Sequence, residues 1–413
     1  MMEDILAVDE KVVFNDAIMN LEYHTHTPYA SSRYSNNDEI RIAIQQQDVY
    51  TWPSESFLYI EGVQTKRDGT VDSTKLILSN NAMAFLFEEI RFEISGVEVD
   101  RMRRLGITST IKNGLSIDNS QQKGMIKACW THPSSVNEDF KQVVDTNGRF
   151  NFIVPLKQLL GFAEDFRRII INVKQELILL RTSVDTDAVY ATENALEYKL
   201  TLNKVYWKVP YVQTSNVAKL NLLRLLEKNT HLTVPFRSWQ IHEYPMLPTT
   251  SRQTWTVKTT SELEKPRYVV LAFQTDRKDK VNKMPADFDH CELTNVRLYL
   301  NSQYYPYDNL NLSFAENRYG LLYDMYTRFR SSYYTDEGLM QPLLSPKEFK
   351  NHAPLVVIDC SNQIENIKSS TIDVRLEFEA SNRFPPNTTA YCLIIHDVIV
   401  EYAPLTGTVR KHV

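Results

Sequence analysis

Short runs in which apolar and polar residues alternate recur along most of the chain. Ile40-Arg41-Ile42-Ala43-Ile44, Ile90-Arg91-Phe92-Glu93-Ile94, Val296-Arg297-Leu298-Tyr299-Leu300 and Val374-Arg375-Leu376-Glu377-Phe378 are examples. A period of two sends successive side chains to opposite faces of a pleated strand, leaving one face apolar and the other polar. Many such runs, separated by polar turns, predict antiparallel strands assembled as sandwiches or barrels.

Helical spacing is the exception. Val217, Leu220, Leu223 and Leu226 make one apolar stripe behind a capping Ser215 or Asn216. A second helix is expected from about 315 to 330, with Tyr319, Leu322, Tyr326 and Phe329 on one face. Ser345-Pro346-Lys347-Glu348 fits a capping box with proline in the first turn. A short helix over 155–160 is expected to stop at Gly161. These helices decorate sandwiches and form no separate domain.

The two halves resemble each other. The run beginning at Ile90 matches the run beginning at Val296, 206 residues on. Val173, Leu177 and Leu179 match Ile372, Leu376 and Phe378 at 199 residues. Tyr198, Leu200, Leu202, Val205 and Trp207 match Tyr391, Leu393, Ile395, Val398 and Val400 at 193 residues. The order is kept and the offset drifts slowly, as small deletions in a duplicated half would produce. The fold class expected is all-β, two tandem eight-stranded jelly rolls with a few short helices in loops. The domains expected are 1–212, a first jelly roll with an N-terminal arm, and 213–413, a second, with 210–215 as linker.

Composition narrows the possibilities. At 413 residues the chain suits two domains, and 43% hydrophobic with 23% charged residues excludes wholesale disorder. A net charge of −5 argues against a chain built to neutralise nucleic-acid phosphates. Only 11 glycines leave little material for phosphate-cradling loops, and no G-x-S-x-G, G-x-x-x-x-G-K-[ST] or H-E-x-x-H motif occurs. The four cysteines (Cys129, Cys291, Cys360 and Cys392) are widely spaced and read as reduced thiols. The acidic start, without a basic and apolar leader, and the short apolar runs lead us to expect a protein of the cytosol or nucleus with no membrane span. The sequons at Asn311 and Asn387 are incidental in that setting.

Ordered segments then carry a resemblance. They are Arg91-Phe92-Glu93-Ile94-Ser95-Gly96-Val97-Glu98-Val99-Asp100, Gly106-Ile107-Thr108-Ser109-Thr110-Ile111-Lys112-Asn113 and Phe152-Ile153-Val154-Pro155-Leu156 with Leu160-Gly161-Phe162. Further on come Leu263-Glu264-Lys265-Pro266-Arg267-Tyr268, Leu298-Tyr299-Leu300-Asn301-Ser302 with Tyr305-Pro306-Tyr307-Asp308, Val357-Ile358-Asp359-Cys360-Ser361 and Asn387-Thr388-Thr389-Ala390-Tyr391-Cys392. Their combination resembles the double jelly-roll-like family of virus-derived elements in invertebrates. More distantly it is similar to the major capsid proteins of tailless double-stranded DNA viruses. The resemblance implies a structural, non-enzymatic capsid protein. Three such chains form a pseudo-hexameric capsomer that tiles an icosahedral shell, so the expected location is the virion, assembled in host cytoplasm or nucleus. The partner implied is a second copy, with penton or minor capsid proteins as further candidates. A domesticated scaffold of the same fold and a ligand- or metal-binding sandwich are the alternatives.

Local chemistry adds little. His24-Thr25-His26 has the spacing of a cupin metal site but lacks the following glutamate, and reads as a polar surface stretch. Cys129-x-x-His132 has no second half; His290, Cys291 and His396 beside Asp397 read as structural. Arg101-Met102-Arg103-Arg104, Arg277 to Lys280 and Arg410-Lys411-His412 read as solvated surface, leaving any genome charge to another component. Glu88-Glu89 and Glu164-Asp165 read as solvated or paired with nearby Arg167 and Arg168. Tyr319, Tyr323, Tyr326, Phe329, Tyr333 and Tyr334 form an aromatic stripe that fits either a subunit interface or the chain's own sandwich. No residue is expected to be catalytic, cofactor-binding or metal-ligating, and no cofactor is expected.

Overall fold

The computed structural model describes residues 17–29, 34–45, 49–66, 68–71, 76–191, 198–228, 231–257, 266–301, 303–334, 342–362 and 372–412. The acidic start of the chain, the segment at Leu263-Glu264-Lys265 and Ser302 lie outside the described residues. Eight strands form the core of the first half: β1 (Ile18–His26), β2 (Glu39–Ile44), β3 (Phe57–Lys66), β4 (Phe87–Ile94), β5 (Val97–Arg103), β6 (Arg149–Pro155), β7 (Gln175–Arg181) and β8 (Tyr198–Thr214). Eight more form that of the second: β9 (Leu232–Tyr244), β10 (Arg252–Val257), β11 (Pro266–Thr275), β12 (Leu293–Leu300), β13 (Gln303–Tyr305), β14 (Val356–Asp359), β15 (Val374–Ala380) and β16 (Thr388–Tyr402).

The strand orders repeat. In the first half one sheet runs β2-β7-β4-β5, and in the other β8 lies between β3 and β1, with β6 outside β3. The second half has β10-β15-β12-β13, and β16 between β11 and β9, with β14 outside β11. Each half is thus an eight-stranded jelly roll, and each strand of the first has its counterpart eight strands later. The short pairs Tyr50–Thr51 with Ile170–Ile171 and Leu76–Leu78 with Val189–Ala191 extend the first roll, and Val409–His412 pairs with β16.

The duplication holds residue by residue in one sheet. Leu177 lies opposite Phe92 and Leu179 opposite Ile90; their counterparts Leu376 and Phe378 lie opposite Leu298 and Val296. The offsets of 199 and 206 are therefore satisfied together. Ile42 and Trp255 complete the row beside Leu177 and Leu376. The third match falls on β8 and β16, which hold the same place in their sheets.

Alternating residues of both sheets meet between the layers. Phe92 stacks on Phe162 with centroids 4.6 Å apart, and Trp207 approaches Phe92 edge-on at 6.1 Å. The fully buried Trp207 donates its indole N–H to Ser56 Oγ at 3.0 Å, so its one polar atom is satisfied. Phe273, Phe378 and Phe384 fill the second roll with centroid separations of 5.2–5.7 Å. Each such ring contributes about 1.5–3 kcal/mol through burial.

Five helices matter below: α1 (Leu105–Ser116), α2 (Gly161–Asp165), α3 (Asn216–Glu227), α4 (Gly320–Tyr334) and α5 (Pro346–His352). Ser215 caps α3 by accepting from the Ala218 N–H, and the capping box at Ser345 and Glu348 opens α5 as expected. Three boundaries differ from expectation. The expected linker is mostly strand, because β8 continues to Thr214 through its pairing with β1. Helix α4 starts at Gly320 and not near 315, because Ser313 and Arg318 close a backbone bridge and Asn317 takes a left-handed conformation. Gly161 does not end the preceding helix, Leu156–Leu159; Leu160 does, in extended conformation, and Gly161 opens α2.

Candidate functional site

A buried polar network lies on the seam where the two rolls meet. Among the described strands, β9 of the second roll pairs with β16 alone, and first-roll residues meet its other edge. The Arg237 N–H, which a further strand would otherwise engage, donates to Asp165 Oδ2 of α2 at 2.8 Å. The Arg237 guanidinium grips the same carboxylate at 2.6 and 2.9 Å and lies 3.5 Å from the Tyr333 ring centroid. Desolvation lowers its pKa, but the Asp165 hydrogen bond and the electrostatic influence of Tyr333, Asp165 and Glu164 together raise it on balance. One residue further on, Ser238 donates to the buried Asp100 of β5 at 2.7 Å, and Asp100 also accepts the Phe162 N–H at 3.0 Å. Burial pushes the Asp100 carboxyl up.

Behind this edge lies a buried ion pair. Lys112 on α1 is 1% exposed; its ammonium is 2.7 Å from Glu164 of α2, donates to the Lys157 carbonyl at 2.9 Å and lies 5.4 Å from the Trp239 ring centroid. The Glu164 carboxylate also accepts from Tyr333 and Tyr334 of α4. Both phenols are raised well above their usual pKa, chiefly by burial and then by the Glu164 charge. Tyr326 donates to the Gly114 carbonyl at 3.1 Å, and Arg330 donates to the Ser116 carbonyl.

The aromatic stripe is therefore interior: Leu322, Tyr326, Phe329 and Tyr333 are buried, and α4 bolts the second roll to the first. Of its two sequence readings, the structure selects packing within the chain.

Backbone approach makes Gly161 critical. A Cβ placed there would meet the Arg237 carbonyl oxygen at 1.9 Å, and that oxygen belongs to a strand that cannot move without opening the seam. Gly161→Ala is expected to lower stability by about 1–3 kcal/mol through overpacking. Thermal unfolding followed by circular dichroism measures it; an unchanged midpoint would show that the strand yields.

The other sequence candidates stay apart. His24 stacks on Tyr211 with centroids 4.1 Å apart, and His26 Nε2 lies 3.2 Å from the same hydroxyl. Burial pushes the Cys129 and Cys291 thiols up to about 12, and no disulfide joins any of the four cysteines. The His132 ring accepts from the Ser134 N–H, and the His290 ring stacks on Phe314 at 4.3 Å. Burial lowers His396 on β16 to about 4, and Asp397 turns away to pair with Arg267 at 2.6 Å. Among the described residues no group of three or more His, Cys, Asp or Glu could hold a metal ion. No described helix is long and apolar enough to cross a membrane.

Acids pair with the arginines of the first two basic clusters. Arg101 pairs with Glu98, Arg103 with Glu89, Arg104 with Glu243, and Arg277 with Asp289. Arg410 to His412 continue a sheet beside β16. Glu164 and Asp165 are neither solvated nor paired with the side chains of Arg167 and Arg168, but with Lys112 and Arg237. Sequence reasoning missed this network. Its one readable signal was Lys112 inside a helix whose other positions are mostly small or apolar.

Comparison with known proteins follows the same geometry. A model of the double jelly roll-like domain matches residues 76–400. No curated protein matches the chain. Among solved structures, the chain is similar to PBCV-1 VP54 as fitted into a cryo-EM reconstruction of the virophage Sputnik, at 10% identity and TM-score 0.58, covering 98% of this chain and 99% of that one. It is similar to the Faustovirus major capsid protein at 9% identity and TM-score 0.59, covering 97% and 94%. It is similar also to the mavirus major capsid protein at 9% identity and TM-score 0.53, covering 95% and 90%. With two rolls of repeated strand order joined by a buried seam, the chain belongs to the double jelly roll-like family.

Proposed function

We propose that this chain is a structural, non-enzymatic viral major capsid protein whose trimers form pseudo-hexameric capsomers that tile an icosahedral shell. The observation that carries this reading is the pair of matching rolls held by one buried seam. A rigid two-roll block presents two of six similar positions around a ring, so three chains complete it. Overlap with the Faustovirus and mavirus major capsid proteins over nearly the whole of each chain supports it.

The domain division expected at 212/213 is best drawn at Ser215, between the end of β8 and the start of α3. The partner is first another copy and then neighbouring capsomers, with penton or minor capsid proteins beyond. The virion is the location in this reading, after assembly in host cytoplasm or nucleus. Local pairing of Arg101, Arg103, Arg104 and Arg277 supports leaving genome charge to another component.

Mass photometry and negative-stain microscopy of the purified chain test the reading. Particles of about 144 kDa, three copies of 48.0 kDa, with a hexagonal outline are expected. A 48 kDa monomer at every concentration would defeat it.

A further inference from the structure

We propose that the cleft between the two rolls at Tyr391 binds a short aliphatic diamine, one ammonium group held by Asp187 of the first roll and the other by Glu243 and Tyr391 of the second. The site lies within one chain and does not depend on how chains assemble.

Sheet geometry builds one wall. Tyr391 of β16 lies opposite Glu243 of β9 and Ala272 of β11, and Gln274 follows two residues along β11. These residues share one face of the sheet. It is the outer face, because the intervening Phe273 packs inside the roll on Phe378 and Phe384. The first roll supplies the opposite wall: Glu88 in β4, Arg104 and Ile107 where β5 passes into α1, and Asp187 in the turn after β7. Lys278 and Asp279, both exposed, complete the rim from the loop after β11.

The charges in this cleft do not cancel. Four carboxylates, Glu88, Asp187, Glu243 and Asp279, line it against two cations, Arg104 and Lys278. Arg104 is engaged with Glu243 at 3.0 Å and Glu88 at 3.4 Å. Asp187 accepts the Asp279 N–H at 2.9 Å, but among the described residues no cation pairs with it. Burial raises its carboxyl to about 6, as befits a carboxylate short of counter-charge. Tyr391 is the independent observation. It is 4% exposed, and its hydroxyl has no hydrogen-bond partner among the described residues, whereas buried phenols normally find one. Burial raises its pKa, Glu243 and Asp187 raise it further and Arg104 lowers it, so a neutral hydroxyl stands among those three charges.

Shape and chemistry select the ligand. The cleft, about 200 Å³, is smaller than the roughly 300–1,000 Å³ of a drug-sized site and admits only a few heavy atoms. Phe85, Phe87, Ile107 and Pro285 give it an apolar lining that suits a methylene chain. Each ammonium group offers three donors and no acceptor, which matches the carboxylates and the phenol oxygen. Two ammonium groups also match the two negative charges in excess. A bare metal ion fits less well, because among the described residues no three acids, histidines or cysteines converge on one point.

Isothermal titration calorimetry of the full chain with 1,4-diaminobutane at pH 8 and low salt tests the site. One diamine per chain is expected, with a Kd below about 1 mM and at least about tenfold tighter than 1-aminobutane, which carries one charge on the same chain. Tyr391→Phe and Asp187→Asn are each expected to weaken binding about tenfold. The first removes only the unpartnered hydroxyl, and the second keeps an oxygen for the Asp279 N–H, so thermal unfolding without diamine should change little. Should Asp187→Asn melt early, Tyr391→Phe alone decides. Arg104, Lys278 and Asp279 face Asp187, with Glu88, Glu243 and Tyr391 around them. As Asp187 takes up its proton, affinity should fall about tenfold between pH 8 and 5, and less in Asp187→Asn. Absence of saturation at about 20 mM diamine would overturn the proposal. Equal affinity for 1-aminobutane or magnesium would overturn it too, as would binding that neither variant weakens.

Discussion

Lys112→Met is expected to lower the unfolding free energy by about 3–5 kcal/mol, because it strands a buried carboxylate. Glu164 would remain between two phenols with no cation, and the Lys157 carbonyl would lose its donor. The Coulomb attraction within the intact pair is not the source of this loss. Two charges removed from water gain roughly what their desolvation costs, so the pair itself adds little net stability. Uncompensated charge is what destabilises. The double variant Lys112→Met/Glu164→Gln should therefore recover much of the loss, with a coupling energy of about 1–3 kcal/mol in a double-mutant cycle. Urea unfolding of the four proteins measures it. A loss below about 1 kcal/mol for Lys112→Met would mean that water reaches the vacated site.

Acid should loosen the second roll through two histidines. His242 on β9 and His396 on β16 are both lowered from 6.5 to about 4, chiefly by burial, and one ring nitrogen of each, His242 Nε2 and His396 Nδ1, lacks a hydrogen-bond partner among the described residues. The fold favours the neutral rings, whereas the unfolded chain takes up protons below about 6.5. Their contribution is therefore complete above pH 6.5 and is lost as pH falls towards 4. That interval corresponds to at most about 3 kcal/mol for each ring.

Asp187 acts in the opposite direction. Burial raises its carboxyl to about 6, so its neutral form is the favoured one. The informative quantity is thus the difference between the parent and His242→Gln/His396→Gln. Stability measured from pH 4 to 7 should slope less steeply in the double variant. Parallel slopes would show that neither ring is protected from protons in the fold.

Much of the fold was legible from local pattern. The strand runs at Ile40, Ile90, Val296 and Val374 lie where the period of two put them, because one buried and one exposed face is a local requirement. The capping residues Ser215 and Ser345 marked helix starts because a cap needs only neighbours within one turn. The duplication could be read because matching strands keep matching cores. Even the order of the segments at Arg91, Phe152 and Leu298 pointed to the double jelly roll, as the family match over 76–400 bears out.

The seam was not legible, and its residues show why. Glu164 and Asp165 stand close in sequence to Arg167 and Arg168, and local reasoning pairs them there. Their actual partners, Lys112 and Arg237, are brought in by α1 and β9, 52 and 72 residues away. Gly161 reads as a helix stop, but its lack of a Cβ serves the approach of a strand from the other roll. The stripes on α3 and α4 both follow helical i+3/i+4 spacing, yet one is mostly exposed and the other mostly buried. Periodicity specifies which face of an element is apolar. Only the docking of one roll on the other decides which of those faces is covered, because that choice depends on partners far apart in the chain. The sequence by itself therefore determined two jelly rolls, and the tertiary structure decided how they are joined and which apolar faces remain exposed.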